Sequence, residues 1–267
     1  MKKILITFFL ASFVFISCKK DTELQTDNGT SITPQNYYPI RVDLKDGRYT
    51  TISYNSSNLV QEFNNYAYDN SQDWKSVCYY NTNKLILING YKSGDTLTYK
   101  NKITYSGNQA DSILVYYDTY GIGDFDLVQS DILTYNGDKI ISIIENTNSY
   151  MYKIEYTWDL NNIIEEVKTH YEPSVSTWYP DYKIEYEYDS LRNPLHNIGL
   201  NVLLDIYYLS ENNVIKKRFY DGQNILNEYN SIDYKLEYDS LENKIKSTFI
   251  NLSGDTTEIE TYSYSFW

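Results

Sequence analysis

The sequence predicts an all-β protein, a large antiparallel meander of repeated β-hairpins curled into a barrel or rolled sheet. Three observations predict it. Apolar and polar residues alternate over many short stretches, as in Tyr182-Lys183-Ile184-Glu185-Tyr186-Glu187-Tyr188. The stretches recur, each reaching a turn rich in Asp, Asn, Ser and Gly before an aliphatic residue resumes the pattern. Tyrosine supplies 31 of the 267 residues, against 9 Phe and 4 Trp, and tyrosine favours strands while keeping a polar tip.

Residues 1–17 read as an export signal. Lys2 and Lys3 precede an unbroken apolar run from Ile4 to Ile16, then Ser17 and Cys18. A basic start, a run of this size and a small residue before the cut make a secretory signal peptide, and the run is too short for a membrane-spanning helix. Phe15-Ile16-Ser17-Cys18 resembles a lipobox, which implies that Cys18 receives the lipid. The following Lys19-Lys20-Asp21-Thr22-Glu23 resembles the surface-export signal of Bacteroidetes lipoproteins and implies the outer membrane, with the cell surface favoured over the periplasmic face.

Residues 18–36 read as the lipidated cysteine and a disordered tether of Thr, Asn, Gln, Asp, Gly and Ser. No tyrosine precedes Tyr37, and residues 37–267 read as one all-β repeat domain. With Cys18 acylated, Cys78 has no partner for a disulfide, and a lone thiol in an oxidising compartment is expected to be buried in a strand.

The repeat is clearest in Tyr152–Asn162, Tyr182–Asn193 and Tyr234–Asn243, with weaker copies ending at Asn58, Asn83, Asn108, Asp138 and Asn213. On strands, Tyr182, Ile184, Tyr186 and Tyr188 share one face, and Lys183, Glu185 and Glu187 the other. Tyr152, Ile154, Tyr156 and Trp158 oppose Lys153, Glu155 and Thr157 in the same way, the mark of antiparallel strands with one protected face. Asn136-Gly137 supplies the positive φ of a tight hairpin, and Asp189-Ser190 and Asp239-Ser240 can bond their own backbone in turns. About eight units imply on the order of fourteen to sixteen strands, too wide a sheet to stay flat.

Tyr-Asp followed by Asn and an aliphatic residue resembles the YD repeats of large bacterial shell proteins. Together with the signal and tether, residues 37–267 resemble a Bacteroidetes lipoprotein family of unknown function with a porin-like fold. The resemblance implies a fold and a location and brings no activity. Asp111-Ser112-Ile113, Asp189-Ser190-Leu191, Asp239-Ser240-Leu241, Asp95-Thr96-Leu97 and Asp255-Thr256-Thr257 also resemble acceptors of Bacteroidetes O-glycosylation, although turns require the same pairs.

Composition and motifs narrow the function. A net charge of -13 argues against nucleic acid as a partner. A lipid-facing pore wall would be mainly aliphatic with tyrosine confined to two girdles, whereas tyrosine here runs along whole strands. No GxSxG, GxGxxG, P-loop or HExxH occurs, and no cofactor or metal site is expected; Asp124 and Asp126 alone are too few for calcium. Glu155, Glu185, Glu187 and Glu237 fall on the wet face rather than in facing pairs suited to glycosidase chemistry. Trp178 and Tyr179, between two strands, and Trp74, after the turn at Asp69-Asn70-Ser71, are the candidate ligand-stacking aromatics; packing into the barrel ends is the alternative. The expected function is a noncatalytic binding module for a glycan or protein ligand, held to the membrane by its lipid anchor. The alternatives are a purely structural envelope protein and a polysaccharide-acting hydrolase.

Overall fold

A computed structural model describes residues 37–93, 95–196 and 209–266. The signal, Cys18 and the tether lie outside the described residues. Among the described residues, alternating side chains produce sixteen strands. They begin with β1 (Tyr37–Leu44), β2 (Tyr49–Tyr54), β3 (Val60–Tyr66), β4 (Gln72–Asn81), β5 (Lys84–Lys92) and β6 (Thr96–Ser106). Next come β7 (Gln109–Tyr117), β8 (Asp126–Asn136), β9 (Lys139–Thr147), β10 (Met151–Asp159) and β11 (Asn162–Glu172). The chain finishes with β12 (Thr177–Arg192), β13 (Asn212–Asp221), β14 (Ile232–Tyr238), β15 (Lys244–Asn251) and β16 (Thr256–Phe266). Each pairs antiparallel with its neighbours in sequence, and β16 returns to β1, so the sheet is a closed barrel. Closure pairs both potential edges and removes the hazard that an open sheet carries.

The protected face is the interior. Ile184 and Tyr186, like Ile154 and Tyr156, are buried within one hydrophobic core to which every strand from β1 to β13, and β16, contributes side chains. Outward, Lys153 pairs with Glu155 at 2.6 Å, Lys216 with Glu187 at 2.7 Å and Lys246 with Glu237 at 2.6 Å. Cys78 is buried in β4, and burial pushes its thiol up to about 12, which makes it unreactive.

The two ends of the barrel differ. We call basal the end at which β1 starts and β16 finishes, and distal the opposite end. Four basal hairpins close in two residues, and Gly137 adopts φ +64° in one of them, as its Asn-Gly context predicts. Beside these turns the register shifts and pairs an aromatic residue with a small or aliphatic one: Tyr80 with Leu85, Tyr105 with Ala110, Tyr135 with Ile140 and Trp158 with Ile163. Tyr80, Tyr105 and Trp158 then reach to the preceding hairpin. The Tyr80 hydroxyl donates to the Val60 carbonyl at 2.7 Å, Tyr105 to Leu85 at 2.9 Å, and the Trp158 indole N–H to Ile140 at 2.8 Å. Tyr54 and Tyr264 do the same to Pro39 and Lys244, at 2.7 and 2.6 Å. This explains why tyrosine recurs just before the turn: the ring packs against the core while its hydroxyl donates to a backbone carbonyl of a neighbouring strand.

Two expected turns differ in outcome. Asp239 accepts from the Leu241 and Asn243 amides, at 2.8 and 2.9 Å, and turns the chain as expected. Asp189-Ser190 lies inside β12 instead. There the Asp189 carboxylate still accepts from the nearby Leu191 amide at 3.1 Å, as expected, but also from the Asn213 amide and the Tyr238 hydroxyl, long-range partners that hold the segment against β13 and β14.

Candidate binding site

The distal end gathers exposed apolar side chains. Tyr68, Tyr120, Ile122, Tyr150, Val175 and Tyr229 are all more than half exposed on distal loops. The basal end shows Leu160 and Leu241 among the described residues. Exposed apolar groups concentrated on one face mark a contact surface, whereas scattered ones need no explanation.

The sequence-predicted aromatics all lie in the distal half, but on strands. Trp178 and Tyr179 open β12 rather than a loop, facing Tyr171 and His170 of β11. Pro180 does not end the strand because the register shifts beside it, with Asp181 as the extra residue. The Trp178 ring stands 5.3 Å from that of Tyr171, and Tyr179 stacks on His170 at 5.9 Å. Their exposures, 37% and 43%, leave ring surface open. Trp74, at the start of β4, is half-buried and packs 5.9 Å from the Tyr99 ring. Tyr99 in turn lies across Gly90, where any Cβ would meet its ring, so Trp74 belongs to the packed lining. Trp178 and Tyr179 adjoin each other in β12, and the structure does not bring Trp74 into direct ring contact with them.

Beneath the rim, β8 to β13 line the interior with polar groups. Asp131 faces Glu145 across the β8–β9 ladder and accepts from the Gln129 amide at 2.8 Å. Burial lifts its carboxyl to about 6, with Glu145 adding to the effect. Lys168 pairs with Glu145 at 2.8 Å and stands 4.3 Å over the Tyr152 ring. Glu166 accepts from the Tyr182 and Tyr186 hydroxyls at 2.8 and 3.3 Å; burial raises it, while Tyr182 and the Lys217 ammonium oppose the rise. His170 Nδ1 lies 2.5 Å from Asp181 Oδ1. These inward carboxylates were not among the candidates read from the sequence, because Asp131, Glu145 and Glu166 interrupt the apolar phase of their strands.

A second buried charge cluster occupies the closing sector. Lys244 takes the place that Leu85, Ile140 and Ile163 fill in other hairpins, and its ammonium sits 4.5 Å over the Tyr262 ring. The Tyr262 hydroxyl donates to Glu260 at 2.8 Å. Burial lowers the lysine and raises the glutamate, so each resists its charged form.

The loop 222–231 completes the rim and was not read from the sequence, since Leu226-Asn227-Glu228-Tyr229-Asn230 carries no alternation. Asp221 Oδ1 accepts from the Gln223 and Ile225 amides, both at 2.9 Å. Buried Ser231 accepts from the Phe219 amide at 3.0 Å and donates to the Asn227 carbonyl at 2.7 Å. The loop is therefore pinned, yet Tyr229 is 81% exposed on it. Below Tyr229 lies a cavity of about 430 Å³ lined by Lys217, Phe219, Tyr229, Asn230, Ile232 and Thr257. Another, about 350 Å³, lies on the outer wall among Glu165, Glu187, Lys216 and Arg218. Among the described residues no group of three or more His, Cys, Asp or Glu is placed to hold a metal ion.

No protein-family model and no curated protein matches the chain. Its fold is similar to that of a porin-like protein from Bacteroides uniformis. That protein is 10% identical, with a TM-score of 0.52 over 88% of this chain and 97% of the other. A porin-like protein from Bacteroides vulgatus is 11% identical, with a TM-score of 0.38 over 81% and 85% of the two chains. A Bacteroides fragilis protein of unknown function is 11% identical, with a TM-score of 0.35 over 44% of this chain and 94% of the other. At these identities the Bacteroides uniformis protein supports the barrel fold and says nothing about a ligand.

Proposed function

We propose that the chain is a lipid-anchored protein of the outer membrane, facing the cell surface, and that its barrel is a noncatalytic module binding a glycan at the distal rim. The observation that carries this reading is the gathering of exposed aromatic and aliphatic side chains at the end opposite the start of β1. An anchor joined ahead of Tyr37 attaches the barrel by its basal end and leaves the rim free to face outward. The outward ion pairs along β10 to β15 favour a barrel standing in water, since charges at mid-wall are costly against lipid. A sugar is the favoured ligand because aromatic faces flanked by hydroxyl, amide and carboxylate groups match the apolar face and hydroxyl edge of a pyranose ring.

Two measurements test it. Cys18→Ala should move the protein from the membrane fraction to the soluble fraction, because the acyl chains supply the strong membrane affinity. Retention of that variant after a high-salt wash would revive the membrane-pore reading. A glycan array probed with the intact protein in detergent should show binding that Trp178→Ala weakens. Silence across the array would leave the structural-protein reading in its place, and turnover abolished by loss of one carboxylate would establish the hydrolase.

A further inference from the structure

We infer that the cavity under the 222–231 loop is a subsite for one neutral pyranose ring, a proposal that rests on the glycan-binding reading and gives it a location. Three features point there. The first is space: an open cleft of about 430 Å³ falls within the size range of small-ligand sites. The second is chemistry. Phe219 and Tyr229 offer aromatic surface for the C–H face of a sugar, and Asn230, Thr257 and Lys217 add an amide, a hydroxyl and an ammonium for ring hydroxyls. The outer-wall cavity is lined chiefly by charged side chains, with Tyr186 its one aromatic residue.

The third feature is preorganisation. Exposed tyrosines on slack loops are common, but Tyr229 sits between Asn227 and Ser231, whose side chains and backbone tie the loop to Phe219 on β13. A rigid loop displaying an exposed ring loses little conformational freedom on binding, so more of the contact energy appears as affinity. The Phe219 ring is itself held 5.2 Å from Tyr182, so the aromatic wall is anchored from behind. A neutral sugar is favoured over an acidic one. The Lys217 charge already acts on buried Glu166, and the protein as a whole carries -13.

Ligand-observed saturation-transfer NMR on the intact protein in detergent tests the subsite, with the methyl glycosides of glucose, galactose, mannose and N-acetylglucosamine, and with methyl glucuronide, as probes. At least one neutral glycoside should receive saturation at its ring C–H protons. Tyr229→Ala and Asn230→Ala should each weaken that binding at least tenfold, and Leu241→Ala at the basal end should leave it unchanged. Binding that survives both rim variants overturns the subsite. So does preference for the glucuronide. If no glycoside binds while the array still shows glycan capture sensitive to Trp178→Ala, the subsite falls and the binding module stands. If neither assay shows binding, both fall.

Discussion

The hairpins from β2 to β11 and the sector from β12 to β16 share one repeat but close the basal end differently. In the first region the position that resumes the strand holds Val60, Leu85, Ala110, Ile140 or Ile163, all buried. In the second it holds Val214 and then Lys244, and Tyr238 turns from a backbone carbonyl to the Asp189 carboxylate. Tyr264 nevertheless donates to the Lys244 carbonyl as Tyr105 does to that of Leu85. Where the hydroxyl addresses backbone, as Tyr264 does, it uses the carbonyl whatever side chain the accepting residue carries. The side chain is then free to depart from the pattern, and in the closing sector it departs to charge.

The largest expected effect separates the two regions at that position. Ile163→Ala should cost about 2 to 5 kcal/mol, because a fully buried side chain leaves a cavity. The double variant Lys244→Met with Glu260→Gln should be neutral or stabilising by about 1 to 2 kcal/mol, since a buried charge pair replaced as a whole is weak evidence of stability, whereas Lys244→Met alone strands the buried Glu260 carboxyl. Urea midpoints decide it; a loss in the double variant as large as that in Ile163→Ala would erase the distinction. Next, Tyr186→Ala should cost about 2 to 4 kcal/mol, because it removes a buried ring and a donor to Glu166.

A pH experiment isolates the buried carboxyl of the first region. Asp131 is raised from 3.8 to about 6 by burial. The folded state then binds the proton more tightly than the unfolded chain, so the favourable contribution is complete below 3.8 and is lost as pH rises through 6. Between pH 4 and pH 7 the wild type should lose on the order of 2 kcal/mol relative to Asp131→Asn. Parallel stability curves for the two proteins would show that this carboxyl is not raised. Smaller still, Tyr105→Phe should cost about 1 kcal/mol by leaving the Leu85 carbonyl short of a partner. Smallest, Glu187→Ala should change stability by less than about 0.5 kcal/mol, since its pair with Lys216 is exposed to water. A Glu187→Ala loss exceeding that of Tyr186→Ala would invert the assignment of inner and outer faces.

Much of this architecture was legible in the residues. Alternation assigned Tyr182, Ile184, Tyr186 and Tyr188 to the protected face, because successive strand side chains point oppositely whatever the surroundings. Gly137 and Asp239 marked reversals because their preferences are local. Cys78 was expected inside and is inside. The extension of β12 through Trp178 and Tyr179 was missed because Pro180 reads as a break unless the bulge beside it is known.

Three things were decided by tertiary structure alone. Pairing of β1 with β16 joins residues more than two hundred positions apart, and no local signal encodes which strands meet when a sheet closes. The tyrosine hydroxyls find carbonyls about twenty residues back, a partner set by strand neighbourhood and not by sequence spacing within a hairpin. The inward placement of Lys244, Asp131 and Glu166 follows from the phase of strands already committed by their apolar neighbours. Once Tyr156 and Ile184 enter the core, Glu166, which pairs with both across the ladders, must follow them, charged or not, because paired residues share one face of the sheet.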